Sequence, residues 1–165
     1  MGMIDIISAI KDNNYLALKE LLKKGEDPNQ DIEISEDEYA PLLFFALRCR
    51  VDVDMIKLLV ESGADIDYLS DDGVGVLDEA VVFGQIDTIR YLISELGMDI
   101  NTTKRKSGMT PFMQACCYGD LELISYIKES GADINVRDKN GMNALDYAKK
   151  LGQKKVKDFL ENIVE

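Results

Sequence analysis

Residues 114–120 read QACCYGD, placing Cys116 and Cys117 side by side in a chain with three cysteines and no histidine. Such a pair invites three readings: a redox switch, a metal site or ordinary packing. On a helix, neighbouring side chains diverge by about 100°, so one ion cannot readily take both thiolates. With Cys49 the only other thiol and no imidazole present, a zinc quartet cannot be assembled. Nothing in the sequence sets a fixed cation beside Cys117, so its thiol has no visible source of activation. Cys116 directly follows Ala115 at a small-residue position and reads as packing, with Cys117 turned toward an inner face. The odd cysteine count, without framework spacing, suits a reducing compartment, and the cytoplasm is the expected location.

Other reactive patterns are thin. RDKNG at 137–141 resembles the start of a calcium loop, but Gly141 comes too early for the ligand spacing. No glycine-rich run ends in Lys-Ser or Lys-Thr, which removes a phosphate cradle. Carboxylates are plentiful, yet none sits in an apolar setting that would tune it for acid–base work. Asn101-Thr102-Thr103 matches a glycosylation sequon, read as coincidence because the N-terminus lacks a basic n-region and cleavage site. Neither an enzyme nor a metal or cofactor site is expected.

Charge narrows the partners. The chain carries a net −12, and residues 1–72 hold 17 acidic against 7 basic side chains, while residues 73–165 hold 14 and 12. A field of that sign repels phosphate backbones and favours encounter with a basic surface. No apolar run approaches the ~20 residues needed to span a bilayer. A protein partner is therefore expected, with no nucleic acid and no membrane, and the chain itself is taken as a monomer.

The elements that must carry any surface repeat along the chain. GEDPN at 25–29, GADID at 63–67, GMDIN at 97–101 and GADIN at 131–135 close four similar segments, their first glycines 38, 34 and 34 residues apart. Upstream stand Ala9, Ala46, Ala80, Ala115 and Ala148, spaced 37, 34, 35 and 33. Each segment reads as a short helix centred on the alanine, a tight turn, a longer helix and a loop. The spacing predicts helix pairs at 3–11/15–24, 41–49/53–62, 76–83/86–96, 111–117/121–130 and 144–151/154–163. Alanine lets the first helix approach its neighbours, and Gly84, Gly119 and Gly152, four residues on, supply left-handed caps. Thr110-Pro111 is a capping hydroxyl followed by a first-turn proline. A single helix pair has too little core to stand alone, so neighbours must stack.

These residues give the chain its resemblance to the ankyrin-repeat family. The fourth unit carries most of the pattern, in Gly108, Thr110-Pro111, Ala115, Gly119 and Gly131-Ala132-Asp133-Ile134-Asn135. The resemblance implies an all-α solenoid of stacked helix-turn-helix units with β-turn or hairpin loops. It is read as one domain with units at about 1–34, 35–70, 71–105, 106–138 and 139–165, the first and last degenerate. The family's Thr-Pro-Leu-His stretch is kept only as Thr-Pro in unit four; Phe44, Asp78, Met113 and Asp146 stand at the histidine position. Units two and three each hold an extra residue, near APLLFFALRCRV and in ISELGMD.

In proteins similar to this one, partners meet the concave face of the first helices and the loop tips. The residue before each key alanine and the last two of the same helix map that face. They are Phe45, Arg48 and Cys49; Glu79, Val82 and Phe83; Gln114, Cys117 and Tyr118; and Tyr147, Lys150 and Leu151. Several are aromatic or apolar, as an exposed anchor surface requires. A second candidate is the acidic loop between Asn29 and Pro41, with Asp31, Glu33, Glu36, Asp37, Glu38 and Tyr39. Lys104-Arg105-Lys106 and the lysines of 149–157 are read as solvated surface. The expected function is a non-catalytic adaptor binding another protein. The alternative is an inhibitor or immunity-type protein that blocks a basic enzyme or toxin.

Overall fold

The structure, a computed structural model, describes residues 5–163. The start of the first predicted helix, at residues 3 and 4, lies outside them. Helices occur in the expected pairs: α1 (Ile6–Lys11) with α2 (Tyr15–Lys23), α3 (Leu42–Arg48) with α4 (Val53–Glu61), and α5 (Val76–Val82) with α6 (Ile86–Arg90). Then follow α7 (Pro111–Tyr118) with α8 (Leu121–Glu129), and α9 (Ala144–Lys150) with α10 (Lys154–Ile163). Two compact units divide the chain, one ending at Tyr68 and one beginning at Leu69. The first holds two helix pairs and the second three.

The alanine spacing has its physical cause in the packing. Ala9, Ala46, Ala80, Ala115 and Ala148 are all fully buried at the centres of the first helices. Gly84, Gly119 and Gly152 adopt positive φ of 63°, 80° and 68°, as their place after the alanines requires. In the first two pairs the same position is filled by Asn13 (φ 51°) and Arg50 (φ 56°). The turn geometry persists there without glycine, at a cost that asparagine bears better than arginine.

Both extra residues are absorbed locally. Between Arg50 and α4 the chain inserts Val51, which is buried, before Asp52 opens the helix. In the third pair α6 continues as a π turn over Tyr91–Glu95, with Leu96 N donating to Tyr91 O at 3.1 Å. The widened turn takes up one residue without disturbing Gly97, whose φ is 71°.

Asparagines of the closing loops clasp the next loop. Asn29 donates from Nδ2 to Gly63 O at 2.9 Å and accepts the Asp65 amide at Oδ1 at 2.7 Å. Asn101 does the same with Gly131 O at 3.0 Å and the Asp133 amide at 2.8 Å. Asp67 holds the corresponding place in GADID, and a carboxylate has no N–H to donate.

The segment expected as an acidic loop is instead a two-stranded antiparallel hairpin, β1 (Asp31–Ser35) and β2 (Glu38–Pro41). Alternation is the reason: Ile32 and Ala40 face each other and are buried, while Glu33 pairs with Tyr39 on the exposed side. Asp37, at φ 59°, completes the turn. Among the described residues, this hairpin is the one sheet in a chain otherwise built of helices and loops.

Candidate protein-binding surface

Three of the first helices, α3, α5 and α7, are enclosed over their opening turns. All residues of Leu42–Leu47, Val76–Val81 and Pro111–Cys116 are buried. This corrects the expectation that the residue before each alanine faces solvent: Phe45, Glu79 and Gln114 are buried. Tyr147, at the same position of the last pair, is half-buried. What stays accessible is the end of each first helix. Arg48, Cys49, Val82, Phe83 and Cys117 are half-buried, and Lys150 is exposed. Tyr118 and Leu151 are the most open apolar members, at 56% and 51%. Of the sequence-mapped positions, those at the helix ends are accessible, while Phe45, Glu79 and Gln114 are closed.

In the second unit polar side chains of the turns reach Gln114 and Tyr147 on the first helices, and the sequence did not reveal these contacts. Arg105 Nη1 donates to Gln114 Oε1 at 2.6 Å. Tyr147 donates its hydroxyl to Asp138 Oδ2. Arg105 and Asp138 are equivalent, each three residues before a turn glycine, Gly108 or Gly141, as Ser70 is before Gly73. Ser70 Oγ and Asp138 Oδ1 accept the amides four residues on, from Val74 at 3.1 Å and Met142 at 3.1 Å. Arginine has no acceptor, so the Met109 amide turns to Ser107 Oγ at 3.2 Å and the guanidinium reaches across to Gln114.

Electrostatics at these positions follow from burial. Asp78 is 7% exposed; Oδ2 accepts the Gly75 amide at 2.9 Å, while Oδ1 is buried without a partner. Desolvation raises its pKa against the opposing pull of that amide and of Arg105. Asp138 shows the opposite balance: burial raises its pKa, but hydrogen bonds from Tyr147 and the Met142 and Asn140 amides outweigh it, and the net shift is downward.

The cysteines fit packing. Cys116 is fully buried, and desolvation, with the neighbouring Cys117, pushes its thiol up to about 12. Cys117 and Cys49 are also raised by burial. Cys117 does have a cation in range, contrary to the sequence expectation: Arg105 lowers its pKa and Asp138 raises it, both less than desolvation does. Among the described residues, no group of three or more His, Cys, Asp or Glu side chains could hold a metal ion. No helix there is long and apolar enough to cross a membrane.

The hairpin is the other accessible surface. Asp31, Glu33, Glu36, Asp37 and Glu38 are exposed, and Tyr39 is 60% exposed. Ser35 Oγ donates to Glu38 Oε2 at 2.8 Å, tying the two sides of the turn.

Comparison with known proteins agrees with this architecture. The family model for ankyrin repeats (three copies) matches residues 6–104 and 101–163. The rat ankyrin repeat and SAM domain-containing protein 6 is 30% identical over 112 residues, which cover 67% of this chain and 12% of that protein. Palmitoyltransferase AKR1 of Lachancea kluyveri is 32% identical over 130 residues, 75% of this chain and 18% of the relative. A putative ankyrin repeat protein of Fowlpox virus, FPV230, is 27% identical over 172 residues, 85% of this chain and 89% of the viral protein. The chain thus spans only a small part of the rat and yeast relatives and most of the viral one. The matched model covers nearly all of the sequence and coincides with the buried alanines and helix pairs, so this chain belongs to the ankyrin-repeat family.

Proposed function

We propose that the chain is a protein-binding adaptor whose contact surface lies at the ends of the first helices. Ankyrin repeats are in general protein–protein interaction modules without catalysis. The observation that carries the finer reading is the exposure of Tyr118 and Leu151, 56% and 51%, three residues after the buried alanines of consecutive repeats. Large apolar side chains kept in water at one repeat position are suited to losing that water against a partner. Half-buried Phe83 holds the same place in the repeat before.

A second reading is the inhibitor of a basic protein, favoured by the exposed acidic hairpin and by 15 acidic against 7 basic side chains in residues 1–68. The two readings differ in what disrupts them. Affinity capture from the native organism with mass spectrometry supplies the partner. Under the first reading Tyr118→Ala and Leu151→Ala abolish capture and added salt has little effect. Under the second, salt and reversal of Glu33 and Glu38 abolish it. Capture that survives both sets of changes overturns both. A cytoplasmic monomer is part of this proposal, supported by the free cysteines and the large net charge.

A further inference from the structure

The first unit carries a groove that the first-helix surface does not use. It has a volume of about 660 Å³ and is formed by α2 and the segment Gly25–Gln30. Ala17 and Leu21, one turn apart on α2, make its apolar floor, and Glu20 and Lys24 continue the same helix face. Leu16, a turn before Glu20, is 73% exposed, an unusual place for leucine on an amphipathic helix. Glu26 and Asp27 complete the lining.

Those carboxylates are held in position. Gln30 Nε2 donates to Glu26 Oε2 at 3.2 Å and to Asp27 O at 2.9 Å. The Asn29 amide donates to Asp27 Oδ1 at 2.8 Å. The contacts to Glu26 Oε2 and Asp27 Oδ1 each use one carboxylate oxygen and fix the group without neutralising it, while the third holds the Asp27 backbone carbonyl. Immediately after Gln30 the chain enters the exposed acidic hairpin. Glu20 is paired with Lys23 at 3.8 Å on an exposed face, which leaves Glu26 and Asp27, among the described residues, as the carboxylates of the edge without a cationic partner. An apolar floor beside them, in a unit of strongly negative charge, selects for apolar and cationic groups together.

We propose that this groove is a second docking site, and that its occupant is a basic amphipathic segment of a partner protein. Apolar side chains of the segment seat on Leu16, Ala17 and Leu21, while its lysines or arginines meet Glu26 and Asp27. This site is on α2 and is independent of the helix-end surface on α5, α7 and α9.

The test uses the full chain and a synthetic amphipathic leucine–lysine peptide, with a leucine–glutamate peptide of the same pattern beside it. Fluorescence anisotropy should show binding of the first only. Amide shifts in NMR spectra should gather at Ala17, Leu21 and Gly25–Gln30. The double variant Glu26→Lys/Asp27→Lys should weaken binding by ~10-fold or more, through loss of attraction and gain of repulsion. The control is Asp54→Lys/Glu61→Lys, an equal change of charge in a separate cleft of the same unit lined by Tyr15, Met55 and Leu58. An equal loss in that control would show a mere response to net charge and overturn the proposal. Shifts confined to the hairpin would do the same. Self-association in sedimentation that the Glu26→Lys/Asp27→Lys change abolishes would assign the groove to a second copy instead. Leu16→Ser tests the apolar part and, at an exposed position, leaves the fold intact; unchanged peptide affinity there would count against an amphipathic occupant.

Discussion

Arg105 reaches from its loop to Gln114 and donates to its Oε1 at 2.6 Å, across a buried position of the first helix. Its charge also bears on Cys117, lowering a thiol pKa that burial and Asp138 raise. Replacing Arg105 by methionine, which keeps the bulk, should slow alkylation of Cys117 at neutral pH, because less thiolate is present. Asp138→Asn should speed it. Cys116, buried and shifted to about 12, should remain unmodified in both until the protein unfolds. Mass spectrometry of timed iodoacetamide reactions reads all three; a faster reaction in the arginine variant would contradict the electrostatic assignment.

The two aspartates should give opposite pH effects on stability. Asp78 has a raised folded pKa, so protonation favours its folded state: its charge costs stability above the folded value, and the cost is relieved as pH falls. Asp138 has a lowered folded pKa, so its contribution is full above the unfolded value of about 3.9 and is lost as pH drops through the folded one. Asp78→Asn should therefore raise the melting temperature at neutral pH more than at about pH 4, near the usual carboxylate range. Asp138→Asn should lower it at neutral pH, with the difference shrinking on acidification. Thermal melts across that range by circular dichroism decide the signs.

Two non-glycine residues in left-handed turns give a matched pair. Arg50→Gly should relieve a left-handed penalty of about 1 kcal/mol, less the entropy of an added glycine and the interaction the arginine makes. Asn13→Gly should destabilise, because Asn13 accepts the Asp52 amide at Oδ1 at 2.9 Å and donates from Nδ2 to Asp52 Oδ2 at 2.8 Å. The loss should be about 1 kcal/mol, the usual net worth of such a bond. Urea titrations of both variants test the contrast.

Gly73 is required by space as well as by angle. At φ 80°, an added Cβ would stand 1.9 Å from the carbonyl oxygen of Lys104. Gly97, at φ 71°, has nothing within 4 Å. Gly97→Ala should cost about 1 kcal/mol, the strain of the angle alone. Gly73→Ala should cost more, because backbone must shift; equal losses in the two melts would show that the loops move apart freely.

At the proposed surface, Tyr118→Ala with Leu151→Ala should weaken partner binding ~30-fold or more while leaving the melting temperature nearly unchanged, as expected of exposed anchors. A large fall in stability with binding intact would place these side chains in the core instead.

Much of this architecture could be read from residue types. The buried alanines were legible because only a small side chain fits where helices cross, and that demand recurs in every repeat. The turn at Thr110 was legible too, since its hydroxyl accepts the Met113 amide as a capping residue should. The turns at Asn13 and Arg50 were not, because a search for glycine misses a conformation that neighbouring contacts impose. Ile32-Glu33-Ile34 carried the alternation of a strand, masked by the surrounding acids. The Arg105–Gln114 contact was hidden for a different reason: it depends on which side of a loop the guanidinium leaves, and no local pattern encodes that. Counting from the alanines picks out helix-end positions that are accessible, but the same counting could not show that Phe45 and Glu79 would be enclosed.

The π turn at Tyr91–Glu95 has a consequence for how such a chain can change length. One surplus residue is lodged inside a helix, and Gly97 still closes it where the next loop needs it. Val51 is lodged just ahead of one. Phase along the repeats is thus kept by landmarks, the alanine and the two caps, and not by a fixed tally of residues between them. A family built this way can tolerate single insertions and deletions that would wreck a strict heptad. Removing one residue between Ile93 and Leu96 should simply return that segment to an ordinary helix.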